Sequence, residues 1–162
     1  MITFERIGPD RDALLRNLYQ LYIHDMSEWF GFEAGPDGRF EYDTDSLWHD
    51  DVAVTLLRIS GAPAGFAVVH SAHPWLGREA SRDVKDFFVL RRYRRQAVGR
   101  ALARHLWNEH PTEWLVRVLA ANLPAVPFWR SAVREFRGRG YEETVVAERG
   151  RDWIRLRFDN SR

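Results

Sequence analysis

Alternation of apolar and polar positions divides the chain into short strands separated by stretches of helical period. Residues 3–7 alternate well enough for a first strand, and Gly8-Pro9-Asp10 ends it and opens a helix. Leu14, Leu15, Leu18, Leu21 and Tyr22 recur at helical spacing, which predicts a helix over residues 10–25, with 27–30 adding a further turn. Residues 31–51, rich in Gly, Asp and Glu, follow neither period and predict an irregular excursion with a short helix at 46–49. The apolar runs 52–59 and 64–70 flank the turn Ser60-Gly61-Ala62-Pro63 and predict a hairpin. Residues 84–90 form the next strand, and 98–108 a helix stopped by Pro111. A fifth strand follows at 114–120, and a helix opened by Pro124 runs to 136. Residues 141–148 and 153–158 close the chain as a hairpin around Arg149-Gly150-Arg151. This order predicts an α+β fold, a mixed sheet with helices on its faces, formed as one domain over residues 1–162.

Composition narrows the function. With no cysteine, disulfides, thiolate zinc sites and cysteine nucleophiles are excluded. A net charge of +1 argues against a dedicated nucleic-acid binder. No apolar stretch approaches the roughly 20 residues that span a bilayer, and the first residues lack the apolar run of a signal peptide. A cytoplasmic protein without nucleic-acid or membrane partners is expected. Its seven tryptophans are expected in the core or a cleft wall, and the closing hairpin is a candidate dimer edge. Lys85 is the only lysine among the basic residues.

Charge placement points to an anion. The strand at 84–90 runs into Arg91, Arg92, Arg94 and Arg95, immediately before a helix start near Gly99. A helix N-terminus carries partial positive charge and unpaired N–H groups. Four arginines there repel it unless an anion sits between them, and phosphate is the usual one.

Two motifs carry a resemblance. Tyr93-Arg94-Arg95-Gln96-Ala97-Val98-Gly99-Arg100-Ala101-Leu102 is similar to the Arg/Gln-x-x-Gly-x-Gly/Ala pyrophosphate loop of the GNAT superfamily of acetyl-CoA-dependent N-acetyltransferases, with Ala97 in place of the first glycine. Asn122-Leu123-Pro124-Ala125-Val126-Pro127-Phe128-Trp129 is similar to the Asn-x-x-Ala-x-x-Phe-Tyr opening of that family's later helix. The strand Val84-Lys85-Asp86-Phe87-Phe88-Val89-Leu90 is locally similar to polyamine acetyltransferases, although Lys85 stands where they have glutamate.

The resemblance implies a mostly antiparallel GNAT-like sheet with helices on both faces, and acetyl-CoA as co-substrate. It places the CoA pyrophosphate on the backbone from Arg94 through Arg95, Gln96, Ala97, Val98, Gly99, Arg100 and Ala101. Ala97 serves there if it stays right-handed helical and is strained if its φ is positive. Pantetheine would pair with the backbone of Phe87 and Val89 and contact Asn122, close to Phe128 and Trp129. One of those N–H groups would polarise the thioester carbonyl. Asp86, then Asp83, is the expected general base. Trp129 replaces the tyrosine that protonates the CoA thiolate in many relatives, and indole cannot do so. The thiolate then leaves unassisted, or Tyr19, Tyr22 or His24 reaches it. Asp25, Glu28 and Trp29 are expected at the acceptor. An acidic mouth of Glu33, Asp37, Glu41, Asp43, Asp45, Asp50 and Asp51, lined by Tyr22, Trp29, Tyr42, Trp48 and Trp75, would attract a cationic amine. His24 and Asp25 lack matching metal-ligand partners, so no metal is expected. The implied reaction is direct acetyl transfer in a ternary complex to a primary amine of a small molecule or peptide. The alternative is an acyl-CoA-binding module without turnover.

Overall fold

The second and third strands of the chain are apolar on both faces, which requires cover on both sides of the sheet. That is the arrangement in the computed structural model of the protein, which describes residues 1–71 and 81–161; Trp75 lies outside them. The elements are β1 (Ile2–Arg6), α1 (Asp12–Phe30), β2 (Val52–Ile59), β3 (Ala62–Ser71), β4 (Ser81–Val89), α2 (Val98–Glu109), β5 (Glu113–Leu119), α3 (Ala125–Arg137), β6 (Glu142–Glu148) and β7 (Arg151–Asp159). Short 3-10 turns occupy Pro9–Arg11, Asp45–Trp48 and Arg91–Tyr93. None of the described helices is long and apolar enough to cross a membrane.

The strands form one seven-stranded sheet in the order β1-β2-β3-β4-β5-β7-β6. Every neighbouring pair is antiparallel except β4 and β5. Helix α1 buries Leu15, Leu18, Tyr19 and Ile23, spaced three and four apart, against Val54, Leu56, Phe66, Val68 and Phe88 on one face. Helices α2 and α3 cover the other face with Leu102, Leu106, Trp107, Trp129 and Val133. Trp107 and Trp114 are fully buried.

The expected helix over 10–25 and the further turn at 27–30 form one continuous helix. It runs without a break to Phe30, where Gly31 ends it with φ 68°, and so brings Met26 and Trp29 to a cavity beside β4. Strand β4 starts at Ser81 rather than 84, which lets it pair with β5.

That pairing is short. Ser81–Val84 match Glu113–Val116, after which the two strands separate. A bulge in β4 accompanies the divergence: Val68 opposes Asp86 while Val69 opposes Val84, leaving Lys85 without a partner in β3. The bulge also changes the parity of the strand. Val84, Phe87 and Val89 face α2 and α3, whereas Asp86 and Phe88 turn towards α1. Gly65 lets β3 approach β4 beyond the bulge, since a Cβ there would stand 2.1 Å from the Phe88 carbonyl oxygen.

Candidate active site

The wedge between β4 and β5 exposes backbone groups that a regular sheet would pair. The Leu90 N–H donates to the Ala64 carbonyl, so Phe88 and Leu90 direct their polar groups towards β3. Alternation then turns those of Phe87 and Val89 into the wedge. Arg94 Nε already donates to the Val89 carbonyl at 2.7 Å. The Phe87 N–H and C=O and the Val89 N–H are left for a ligand that lies along the strand.

At the open end of the wedge the chain turns into α2. Arg95 (φ 61°) and Ala97 (φ 59°) are both left-handed. Such alternation of handedness gathers successive N–H groups on one concave side, a nest for an anion. Ala97 is the N-cap of α2 and supplies no side-chain cap, so the first N–H groups of the helix stay open. Gly99 lets the helix start sit against α3, because a Cβ there would come within 3.2 Å of the Phe128 ring. The nest fits a pyrophosphate in its open N–H groups, its flanking arginines and its helix dipole.

Below the wedge, Asp86 is buried and accepts hydrogen bonds from three phenols. Tyr19 Oη lies 2.8 Å and Tyr42 Oη 3.3 Å from its Oδ2, and Tyr22 Oη lies 3.1 Å from Oδ1. Tyr19 and Tyr22 share one face of α1, and Tyr42 stacks on Tyr19 with ring centres 4.0 Å apart. Burial, then the charge of Asp86, pushes all three phenols above their ordinary value near 10. They therefore remain protonated donors at neutral pH.

Two cavities meet at this point. One, of about 1040 Å³, runs from Arg94, Arg95, Ala97, Gly99 and Arg100 along Val89 and Phe87. The other, of about 690 Å³, holds Asp86, Tyr42, Lys85, Glu33 and Glu41. Tyr22, Met26, Phe87, Asn122, Ala125 and Trp129 line both. A reacting carbon at this junction would face the Phe87 backbone from one side and the Tyr22–Asp86 pair from the other.

The residues expected from sequence divide accordingly. Asn122 lines the junction and caps α3, its Oδ1 accepting from the Ala125 N–H at 3.2 Å. Phe128 and Trp129 wall the wedge; Trp129 packs edge-on against Phe87 at 4.7 Å and is 7% exposed. Of the two conformations open to Ala97, the structure takes the left-handed one, so its Cβ carries backbone strain. Ala101 is corrected, because its N–H is spent on the Ala97 carbonyl inside the helix. Val98 buries its side chain, so only its backbone can serve an anion. Gln96 donates its side chain to the Arg92 carbonyl. Asp83, the second candidate base, is wholly buried and held by Arg117 through both oxygens.

On α1, His24 is exposed, lies against Phe40 and lines neither of these cavities. Asp25, expected at the acceptor, instead pairs its carboxylate with Arg91 at 2.8 Å and with Arg94 in this structure. Burial opposes ionisation there, yet hydrogen bonds from Arg94 and Arg91 hold the carboxyl below its usual range. Glu28 and Trp29 line the larger cavity, not the smaller one. Of the acidic mouth only Glu33 and Glu41 reach the smaller cavity. Asp45 meets Arg16 instead, and Trp48 donates to Asp12 at 3.0 Å. Sequence reasoning missed Met26, Phe30, Phe32 and Trp153 as lining residues. The continuing helical register of 26–30 was the available signal for the first two. No group of three or more His, Asp or Glu that could hold a metal occurs among the described residues.

Residues 15–136 match the family model described as the acetyltransferase (GNAT) family. No curated protein matches the chain in sequence. Among solved structures, the ribosomal-protein-S18-alanine N-acetyltransferase of Escherichia coli superposes with a TM-score of 0.70 at 18% identity, covering 100% of this chain and 96% of its own. The aminoglycoside acetyltransferase AAC(6')-Ib, solved with coenzyme A, gives 0.69 at 19% identity, with 98% and 95% covered. The GNAT domain of S. lividans PAT gives 0.68 at 20% identity, with 96% and 89% covered.

Proposed function

The chain belongs to the acetyltransferase (GNAT) family, and from that membership we propose how its residues divide the work of an acyl-CoA-dependent N-acetyltransferase. Acetyl-CoA supplies an activated acetyl thioester. The N–H groups from Ala97 to Arg100 hold the pyrophosphate, with Arg94 and Arg95 neutralising its charge. Arg94 exchanges Asp25 for that phosphate. The Phe87 N–H and C=O and the Val89 N–H bond the pantetheine amides, and Asn122 steadies the arm through its remaining amide N–H groups.

The acceptor enters from the smaller cavity as a primary amine of a small molecule or peptide. An ammonium of lysine-like pKa near 10.4 must lose a proton before it can attack. Asp86 receives it, directly or through Tyr22, which accepts from the amine while donating to the carboxylate. The new N–C bond forms as the C–S bond breaks, in a direct transfer between two bound substrates, since no cysteine is present to carry the acetyl group. A backbone donor in the wedge stabilises charge developing on the carbonyl oxygen. The thiolate leaves without a protein acid, because Trp129 cannot ionise and the Tyr22 proton is held by Asp86.

One observation carries this reading: the anion nest and the caged carboxylate open into two cavities that share the same six residues. Acetyl-CoA at 100 times its Kd should stabilise the protein by about 2.7 kcal/mol, read as a rise in Tm. The double variant R94E/R95E should lose that rise. A Tm unmoved by millimolar acetyl-CoA would overturn the assignment.

A further inference from the structure

The smaller cavity contains both signs of charge, and the positive one is out of place for a site that takes a plain amine. Lys85 lines it as the bulged, exposed residue of β4, between buried Val84 and buried Asp86. A bulge re-aims the side chain it carries, and this one brings the chain's only lysine into the cavity. Among the described residues the Lys85 side chain makes no ion pair or hydrogen bond, and neither do the carboxylates of Glu33 or Glu41 across the same cavity. The neighbouring cation, Arg117, is neutralised by Asp83. An ammonium in this cavity is drawn by Glu33, Glu41 and Asp86 and repelled by Lys85, whereas an acceptor that also carries an anion finds in Lys85 a partner for it. A third feature is apolar. Phe30 stacks on Phe32 with ring centres 5.3 Å apart and lies 6.0 Å from Trp153, and all three line the cavity.

We propose that the acceptor is amphoteric: a small apolar amino acid whose carboxylate pairs with Lys85 while its amine lies towards Asp86 and its side chain against Phe30, Phe32 and Trp153. This rests on the assignment of the smaller cavity to the acceptor. Lys85 is then a specificity-determining residue, which pairs an anion that the amino acid carries and a polyamine lacks.

The test compares L-phenylalanine with phenethylamine, which differ only in the carboxylate, by calorimetric titration into the protein saturated with CoA. Wild type should bind the amino acid at least tenfold more tightly. In K85Q that ratio should fall at least tenfold, and in K85E it should reverse. The CoA-induced rise in Tm reports that each variant is folded and loaded. Equal binding of the two ligands by wild type, binding of neither, or an unchanged ratio in K85Q would overturn the proposal. Thiol release from acetyl-CoA with the same ligands separates the two readings. A carboxylate preference in binding without thiol release would contradict the assigned chemistry and leave Lys85 in its role.

Discussion

Replacing Ala97 with glycine should make the ligand-free protein more stable, against the usual effect of glycine at a helix start. Ala97 sits at φ 59° and ψ 1°, a left-handed conformation at the N-cap of α2. For an L-residue with a Cβ that conformation costs about 1–2 kcal/mol. Its methyl group is exposed, so removing it forfeits no packing. Glycine relieves the strain but adds freedom to the unfolded chain, worth about 0.4–1 kcal/mol in the opposite direction. The midpoints of the two leave a gain of about 0.8 kcal/mol. At roughly 2–4 °C per kcal/mol for a chain of this size, Tm should rise by about 2–3 °C. Calorimetry and urea unfolding measure it, with the urea m-value unchanged. A97V, which puts a β-branched residue in the same conformation, should shift Tm the other way. A97G falling by about 1 kcal/mol, the ordinary cost of glycine in place of alanine in a helix, would refute the left-handed turn and with it the nest.

Asp86→Asn keeps a carbonyl oxygen for the phenols but removes the proton acceptor. It should lower kcat by about 10²–10⁴ while leaving the acetyl-CoA-induced Tm rise intact, and undiminished kcat would place the base elsewhere. The phenol cage predicts alkaline sensitivity. Burial and the Asp86 charge raise Tyr19, Tyr22 and Tyr42 in the folded state, so above pH 10 the unfolded chain releases protons that the folded chain retains. Their contribution is whole below about pH 10 and is lost as pH rises further, at about 1.4 kcal/mol per pH unit for each phenol. Urea midpoints from pH 8 to 11 should show this fall, with a shallower slope in Y42F; a flat profile would contradict the cage. Gly65→Ala forces a methyl group onto the Phe88 carbonyl at 2.1 Å and should cost about 1–3 kcal/mol or more in urea unfolding.

The order of strands and helices was legible because apolar periodicity and turn residues are local signals, and the two motifs at 93–102 and 122–129 carried the cofactor groove. What the sequence concealed depends on contacts between distant segments. Asp86 stood out as a carboxylate beside the cradle, but its orientation follows from the one-residue bulge at Lys85, which a periodic pattern does not display. Its partners come from α1 and from the irregular excursion, 67, 64 and 44 residues away along the chain. Asp25 looked like an acceptor contact because its chemistry suits an amine. It lies instead on Arg91 and Arg94, 66 and 69 residues away, a contact between distant segments that no local signal encodes. The handedness of Ala97 was a question that the sequence could pose and only the backbone could answer.

The central claim is that the wedge between β4 and β5 seats the acyl donor at the junction of the two cavities. A crystal structure with a hydrolysis-resistant acetyl-CoA analogue tests it most directly. Pyrophosphate should lie on the N–H groups from Ala97 to Arg100, with pantetheine bonded to Phe87 and Val89 and the acyl carbonyl between Phe87, Tyr22 and Trp129. An analogue bound outside the wedge, or β4 and β5 paired along their full length around it, would contradict the account.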